Sequence, residues 1–144
     1  MVGHMEIRAI VENTEVEHHV EVETGGRRQR LSIPPKTAGR GSGVNGGELL
    51  CAALATCYCN DLHREAAKRK ISVHEVRVEV MATFGSEGEP ASEIAYAVRV
   101  RADASEAVIH ELVRATDAVA EVQNTLRKGC PVRLASSGES RHLT

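Results

Sequence analysis

Glu48-Leu49-Leu50-Cys51-Ala52-Ala53-Leu54-Ala55-Thr56-Cys57-Tyr58-Cys59 opens the one long helix of the chain, read from Glu48 to Arg69. Leu49, Leu50, Ala53, Leu54, Cys57, Tyr58 and Leu62 recur at helical spacing and make a broad apolar surface. Lys68, Arg69 and Lys70 suit the negative end of the helix dipole. From Leu49 to Cys59 nearly every side chain is small or apolar. That pattern predicts burial on most sides, as in a central helix that other elements surround.

On the N-terminal side the period changes to two. Ile7, Ala9 and Val11 share one face of a strand, and Val16, Val20 and Val22 recur in the next. Gly25-Gly26 marks a turn, Arg28 to Ile33 reads as a third strand, and Pro34-Pro35 ends it. The three strands form an antiparallel meander. Residues 36 to 47 hold five glycines and no periodicity, so they form a loop. On the C-terminal side, Val73 to Phe84 and Ile94 to Val100 are strands joined by the polar turn Gly85 to Pro90. Ser105 is placed to cap a helix over Glu106 to Thr116; a further helix over Asp117 to Lys128 is stopped by Gly129. The order βββ-α-ββ-αα predicts an α+β fold built on the central helix.

The 144 residues suit a single domain spanning 1–144, of which residues 1–4 carry none of the fold. Aromatic residues are only 2%, so the core rests on Val, Leu, Ile and Ala. A net charge of -2 gives no general attraction to nucleic acid or anionic lipid. No apolar stretch approaches the roughly 18 residues that span a bilayer. Met1-Val2-Gly3-His4-Met5 lacks the pattern of a secretion signal. The expected location is cytoplasmic, where thiols stay reduced unless chemistry oxidises them.

Four cysteines, at 51, 57, 59 and 130, are the candidates for that chemistry. At about 100° per helical residue, Cys57 projects about 120° from Cys51 and about 160° from Cys59. No single site holds all three, and no metal centre is expected. Cys51 and Cys59 read as core fillers. Cys130 follows a helix-stopping glycine and precedes Pro131, which places it at the N-cap of a further helix, where backbone N–H groups favour a thiolate. Cys57 lies too deep in its own helix for that effect and needs a cation instead. The preceding loop supplies Lys36 and Arg40.

Leu31-Ser32-Ile33-Pro34, the loop with Gly39, Gly41 and Gly43, and Asn45-Gly46-Gly47-Glu48-Leu49-Leu50 leading to Ala55-Thr56-Cys57-Tyr58 resemble the OsmC/Ohr family. Gly129-Cys130-Pro131-Val132 is similar to its second cysteine motif, and the likeness runs over roughly residues 28 to 134. The resemblance implies antiparallel sheets wrapped around a long buried helix, in an intertwined homodimer with active sites at the subunit interface. It implies an antioxidant peroxidase of the oxidative stress response, reducing organic hydroperoxides without a cofactor. Cys57 would attack and Cys130 would resolve, with a small thiol or lipoyl-type reductant resetting the pair. Two positions depart from the family pattern. The carboxylate that orients the site arginine falls on Gly47, with Glu48 adjacent, and the arginine position falls near Thr37, leaving Arg40 and Lys36 as supporting candidates. These departures keep open a non-catalytic dimer that binds a small apolar or thiol ligand, or a redox sensor. Of the remaining polar features, His18-His19 point to opposite strand faces and His63 reads as a surface helix residue. The glycine loop lacks a Walker or Rossmann ending, and the polar Ser136 to Thr144 contains no obvious closing strand.

Overall fold

The computed structural model describes residues 4–137. Most of the polar tail from Ser136 onward lies outside those residues, as do the first three. The described chain divides after Leu50 into two compact units.

In the first unit, β1 (Ile7–Asn13), β2 (His18–Thr24) and β3 (Arg27–Leu31) form the expected antiparallel meander, in the order β1-β2-β3. Gly25 and Gly26 both have positive φ, 55° and 82°, as a two-residue hairpin with right-handed twist requires. The register pairs Val11 with Val20 and Ala9 with Val22, so the apolar residues meet across the strands. Val16 lies in the turn before β2, 91% exposed, because Thr14 caps that turn through bonds from the backbone N–H groups of Val16 and Glu17. Helix α1 (Gly46–Lys68) begins in this unit. Its start is a reciprocal capping box: Asn45 N–H donates to Glu48 Oε1 at 3.0 Å, and Glu48 N–H donates to Asn45 Oδ1 at 2.7 Å.

The second unit contains the rest of α1, the hairpin of β4 (Val73–Phe84) and β5 (Ala91–Ala102), α2 (Glu106–Val119) and α3 (Glu121–Lys128). Val76, Val78 and Val80 of β4 lie opposite Val100, Val98 and Tyr96 of β5. This valine face packs on Tyr58, Leu62 and Ala66 of α1 and on Leu112 of α2, all of which are buried. Tyr58 meets Tyr96 edge to face, with ring centroids 5.2 Å apart. Its hydroxyl donates to Val113 O at 2.9 Å, so the polar tip is satisfied inside the core.

Two helix boundaries differ from expectation. Ser105 caps α2 as predicted, accepting from Val108 N–H. However, α2 runs on to Val119 and the chain bends at Ala120, whose extended ψ of 107° breaks the helix. Asp117 therefore lies in the last turn of α2 instead of starting α3. Arg127 clamps the bend by reaching back to Asp117, with Nη2 2.7 Å from Oδ1. Gly129, at φ 73°, ends α3 as expected.

In one chain α1 is buried along a single stripe: Leu54, Tyr58, Asp61, Leu62, Glu65 and Ala66. Leu49, Ala52 and Ala53 remain exposed, so burial on most sides is not reached within the chain. Among the described residues no helix is long and apolar enough to cross a membrane.

Glu65 is the charged member of that stripe. Arg69, Lys68 and Arg64 lie 2.9, 3.1 and 3.4 Å from its carboxylate. The hydrogen bonds from Arg69 and Lys68 hold its pKa down at about 2. A depressed carboxylate stabilises the fold above its unfolded pKa, about 4.3. That stabilisation is lost as pH falls towards the folded value. Glu65→Gln is therefore expected to lower the melting temperature at pH 7. In thermal melts from pH 6 to pH 2 its gap from wild type should close between about pH 4.5 and pH 2.

Candidate active site around Cys57

Cys57, Asp61 and Arg64 stand at i, i+4 and i+7 on α1, one above another on the same helix face. The bend at Ala120 brings the first turn of α3 against this face. Cys57 Sγ, half-buried, lies 3.6 Å from Asp61 Oδ2, 3.8 Å from Glu121 Oε1 and 3.5 Å from the N–H of Val122. Gln123 anchors the contact: its Nε2 donates to Leu54 O at 3.0 Å in the buried seam between α3 and α1. Arg64 Nη1 spans both acids, 3.1 Å from Asp61 Oδ1 and 3.4 Å from Glu121 Oε2.

The electrostatics follow from that geometry. Burial pushes the Cys57 thiol up, and the charges of Asp61 and Glu121 push the same way; the Val122 N–H at the positive end of α3 opposes them. Asp61, buried and hydrogen-bonded to Glu121, is also raised. Glu121 is lowered by that same hydrogen bond and by Arg64. A thiol thus meets two carboxyl groups, and a guanidinium pairs with both of them. Sγ and one oxygen of each acid lie within 4.8 Å of one another. Arg64 already supplies the cation there.

The other residues singled out in the sequence lie elsewhere. Cys130 is exposed beyond Gly129, its Sγ 3.9 Å from Pro131 O. It stands past the far end of the eight-residue α3, whose near end touches Cys57. At 1.5 Å per residue those ends are about 12 Å apart, so the chain does not bring the two sulfurs into contact. Residues 130–137 form neither helix nor strand, so Cys130 is not an N-cap; its backbone N–H instead closes the end of α3 on Thr125 O at 3.3 Å. Glu48 is turned onto Asn45 in the capping box. Lys36 and Arg40 make no ion pair among the described residues, and both are exposed. Cys59 faces β4, lining with Val76 and Val78 a cavity of about 300 Å³. His63 is exposed, as expected.

Sequence reading therefore missed Asp61, Arg64, Glu121 and the Val122 N–H. The spacing of Cys57, Asp61 and Arg64 carried a signal for the first two. Glu121 and Val122 depend on where α2 ends, and the local residues there hold no glycine, proline or capping side chain.

The fold and a cysteine on its central helix define a class. The family described as OsmC-like protein matches residues 39–135 by sequence. The chain belongs to that family. It is similar in structure to an OsmC-like protein from Mycoplasma pneumoniae, at 18% identity and a TM-score of 0.65, over 90% of this chain and 91% of that one. An organic hydroperoxide resistance protein OsmC from Legionella pneumophila shares 21% identity over 83% of this chain and 89% of its own, with a TM-score of 0.54. The organic hydroperoxide resistance protein OhrB of Bacillus subtilis shares 20% over 85% and 92%, with a TM-score of 0.52. No curated protein matches the sequence.

Proposed function

We propose that the protein is a thiol-dependent hydroperoxide reductase in which Cys57 is the reacting group. The observation that carries this reading is the convergence of Asp61, Glu121 and the Val122 N–H on its sulfur, with Arg64 pairing both acids. Family membership and the likeness to hydroperoxide resistance proteins support it. Glu121, kept ionised by Asp61 and Arg64, takes the thiol proton. The sulfur attacks the distal oxygen of the hydroperoxide and the O–O bond breaks. The electron pair leaves with the alkoxide, which takes from Glu121 the proton that the thiol gave up. The products are a Cys57 sulfenic acid and an alcohol. An external thiol then condenses with the sulfenic acid, releasing water, and a second thiol displaces Cys57 from the mixed disulfide. Cys130 enters as the resolving thiol only if the segment after α3 moves, or from a second copy of the chain.

A second copy is part of the proposal. Val132 and Leu134 are 98% and 85% exposed. A homodimer covers such residues and places the site at an interface.

The raised thiol makes the test quantitative. Turnover of cumene hydroperoxide with dithiothreitol should exceed the protein-free control and rise with pH through the ordinary thiol range, about 8.5. Glu121→Gln removes a negative charge near the sulfur, so Cys57 should alkylate about three- to tenfold faster at pH 7. Turnover should not rise in step, because the proton acceptor is gone. An unchanged alkylation profile contradicts the assignment of Glu121. The same raised thiol favours the second reading, a non-catalytic ligand-binding or redox-sensing member. Peroxide loss no faster than the control, with melting shifts on adding a thiol ligand, would establish that reading.

A further inference from the structure

His18 opens β2 and is 8% exposed, although its neighbour His19 reaches solvent. Its Nδ1 lies 2.9 Å from Nδ2 of Asn13, the residue opposite it in the β1–β2 register. An amide nitrogen has only protons to give, so Nδ1 accepts and the proton of the neutral ring stands on Nε2. That Nε2 is buried without a partner among the described residues. It is a donor held away from water, a state that proteins rarely tolerate without something to receive the bond.

His18 lines a cavity of about 380 Å³ within the first unit, at the small end of the range for ligand sites. Val11, Val20, Val44 and Leu49 supply its apolar walls. Lys36 is its one basic residue, and it makes no ion pair among the described residues. The Ser42 hydroxyl is already used, donating to Val44 O at 2.6 Å and accepting from Val44 N–H at 3.2 Å. Besides Asn45 and the backbone at Gly41 and Gly46, the site thus offers a buried, unpartnered N–H, one ammonium and hydrocarbon.

We propose that this cavity binds a short aliphatic monocarboxylate. Its two oxygens match the two donors, one accepting from His18 Nε2 and the other pairing with Lys36, while the alkyl chain lies against the valines and Leu49. Phosphate would leave the apolar walls uncovered. The inference does not rest on Cys57 chemistry.

The test is titration of the full chain with hexanoate, followed by calorimetry and by the nitrogen-15 resonances of the histidine rings. Saturable binding in the millimolar range or tighter is expected, with the His18 Nε2 resonance shifting in step. Lys36→Met, a change at an exposed side chain, should weaken binding by about tenfold or more. Hexan-1-ol, which lacks the charge, and inorganic phosphate, which lacks the chain, should both bind more weakly than hexanoate. Absence of saturable binding would overturn the proposal. So would equal affinity in Lys36→Met, an unmoved His18 resonance, or phosphate binding as tightly as hexanoate.

Discussion

Cys57→Ser is expected to lose hydroperoxide turnover by about 100-fold or more while keeping its fold. A serine hydroxyl is not acidic enough for Glu121 to ionise, and its oxygen does not form the persistent oxidised state that a sulfur does. The replacement is nearly isosteric at a half-buried position, so unchanged melting would separate lost chemistry from lost structure. Cys130→Ser gives a different result. With an external dithiol present it should retain most of the wild-type rate, because α3 separates Cys130 from Cys57. If Cys130→Ser instead stalls after one turnover, with Cys57 over-oxidised, then Cys130 resolves the sulfenic acid after a movement of residues 130–137. The pair of variants thus decides between one thiol and two.

Leu62→Ala should be the most damaging single truncation in the core. Leu62 is fully buried at the centre of the cluster formed by Tyr58, Ala66 and Leu112, against the valine face of the β4–β5 hairpin. Removing a buried leucine side chain costs the transfer of its methyl groups and leaves a cavity. Together these amount to about 3 kcal/mol, or a fall in melting temperature of roughly 10 °C for a chain of this size. The seam cannot collapse readily, because Tyr58 is pinned to Val113 O and α3 is pinned to Leu54 O by Gln123. Denaturant melts at fixed protein concentration measure it, since a dimer makes stability depend on concentration. A shift within about 0.5 kcal/mol would mean that this residue is not central to the core.

Elements with a strong local period or a committed turn residue were legible in the sequence. The meander follows from alternation and from Gly25-Gly26; α2 starts at Ser105 and α3 stops at Gly129 because those side chains satisfy or permit specific backbone geometry. A break between α2 and α3 was legible, expected at Asp117, but its position at Ala120 was not. Ala120 has no side chain to cap α3, and the bend is held from further along the chain, by Asn124 on Ala118 O, Arg127 on Asp117 and Gln123 on Leu54 O. The site inherits the same limit. Cys57 stood out by residue type and context, but the acid facing it from α3 is set by that bend. Lys36 and Arg40 were sought as activating cations because they precede the helix, whereas the cation nearest the sulfur's acids is Arg64, one turn beyond Asp61 on α1. The exposed Val132 and Leu134 mark where one chain's sequence speaks of burial that the single chain does not provide.

The most direct measurement is mass spectrometry of the wild-type chain after one equivalent of cumene hydroperoxide, with a sulfenic-acid trap present. The account predicts that the trap, or a disulfide bond, appears on Cys57 before any other thiol. Oxidation of the exposed Cys130 with Cys57 still reduced would contradict it.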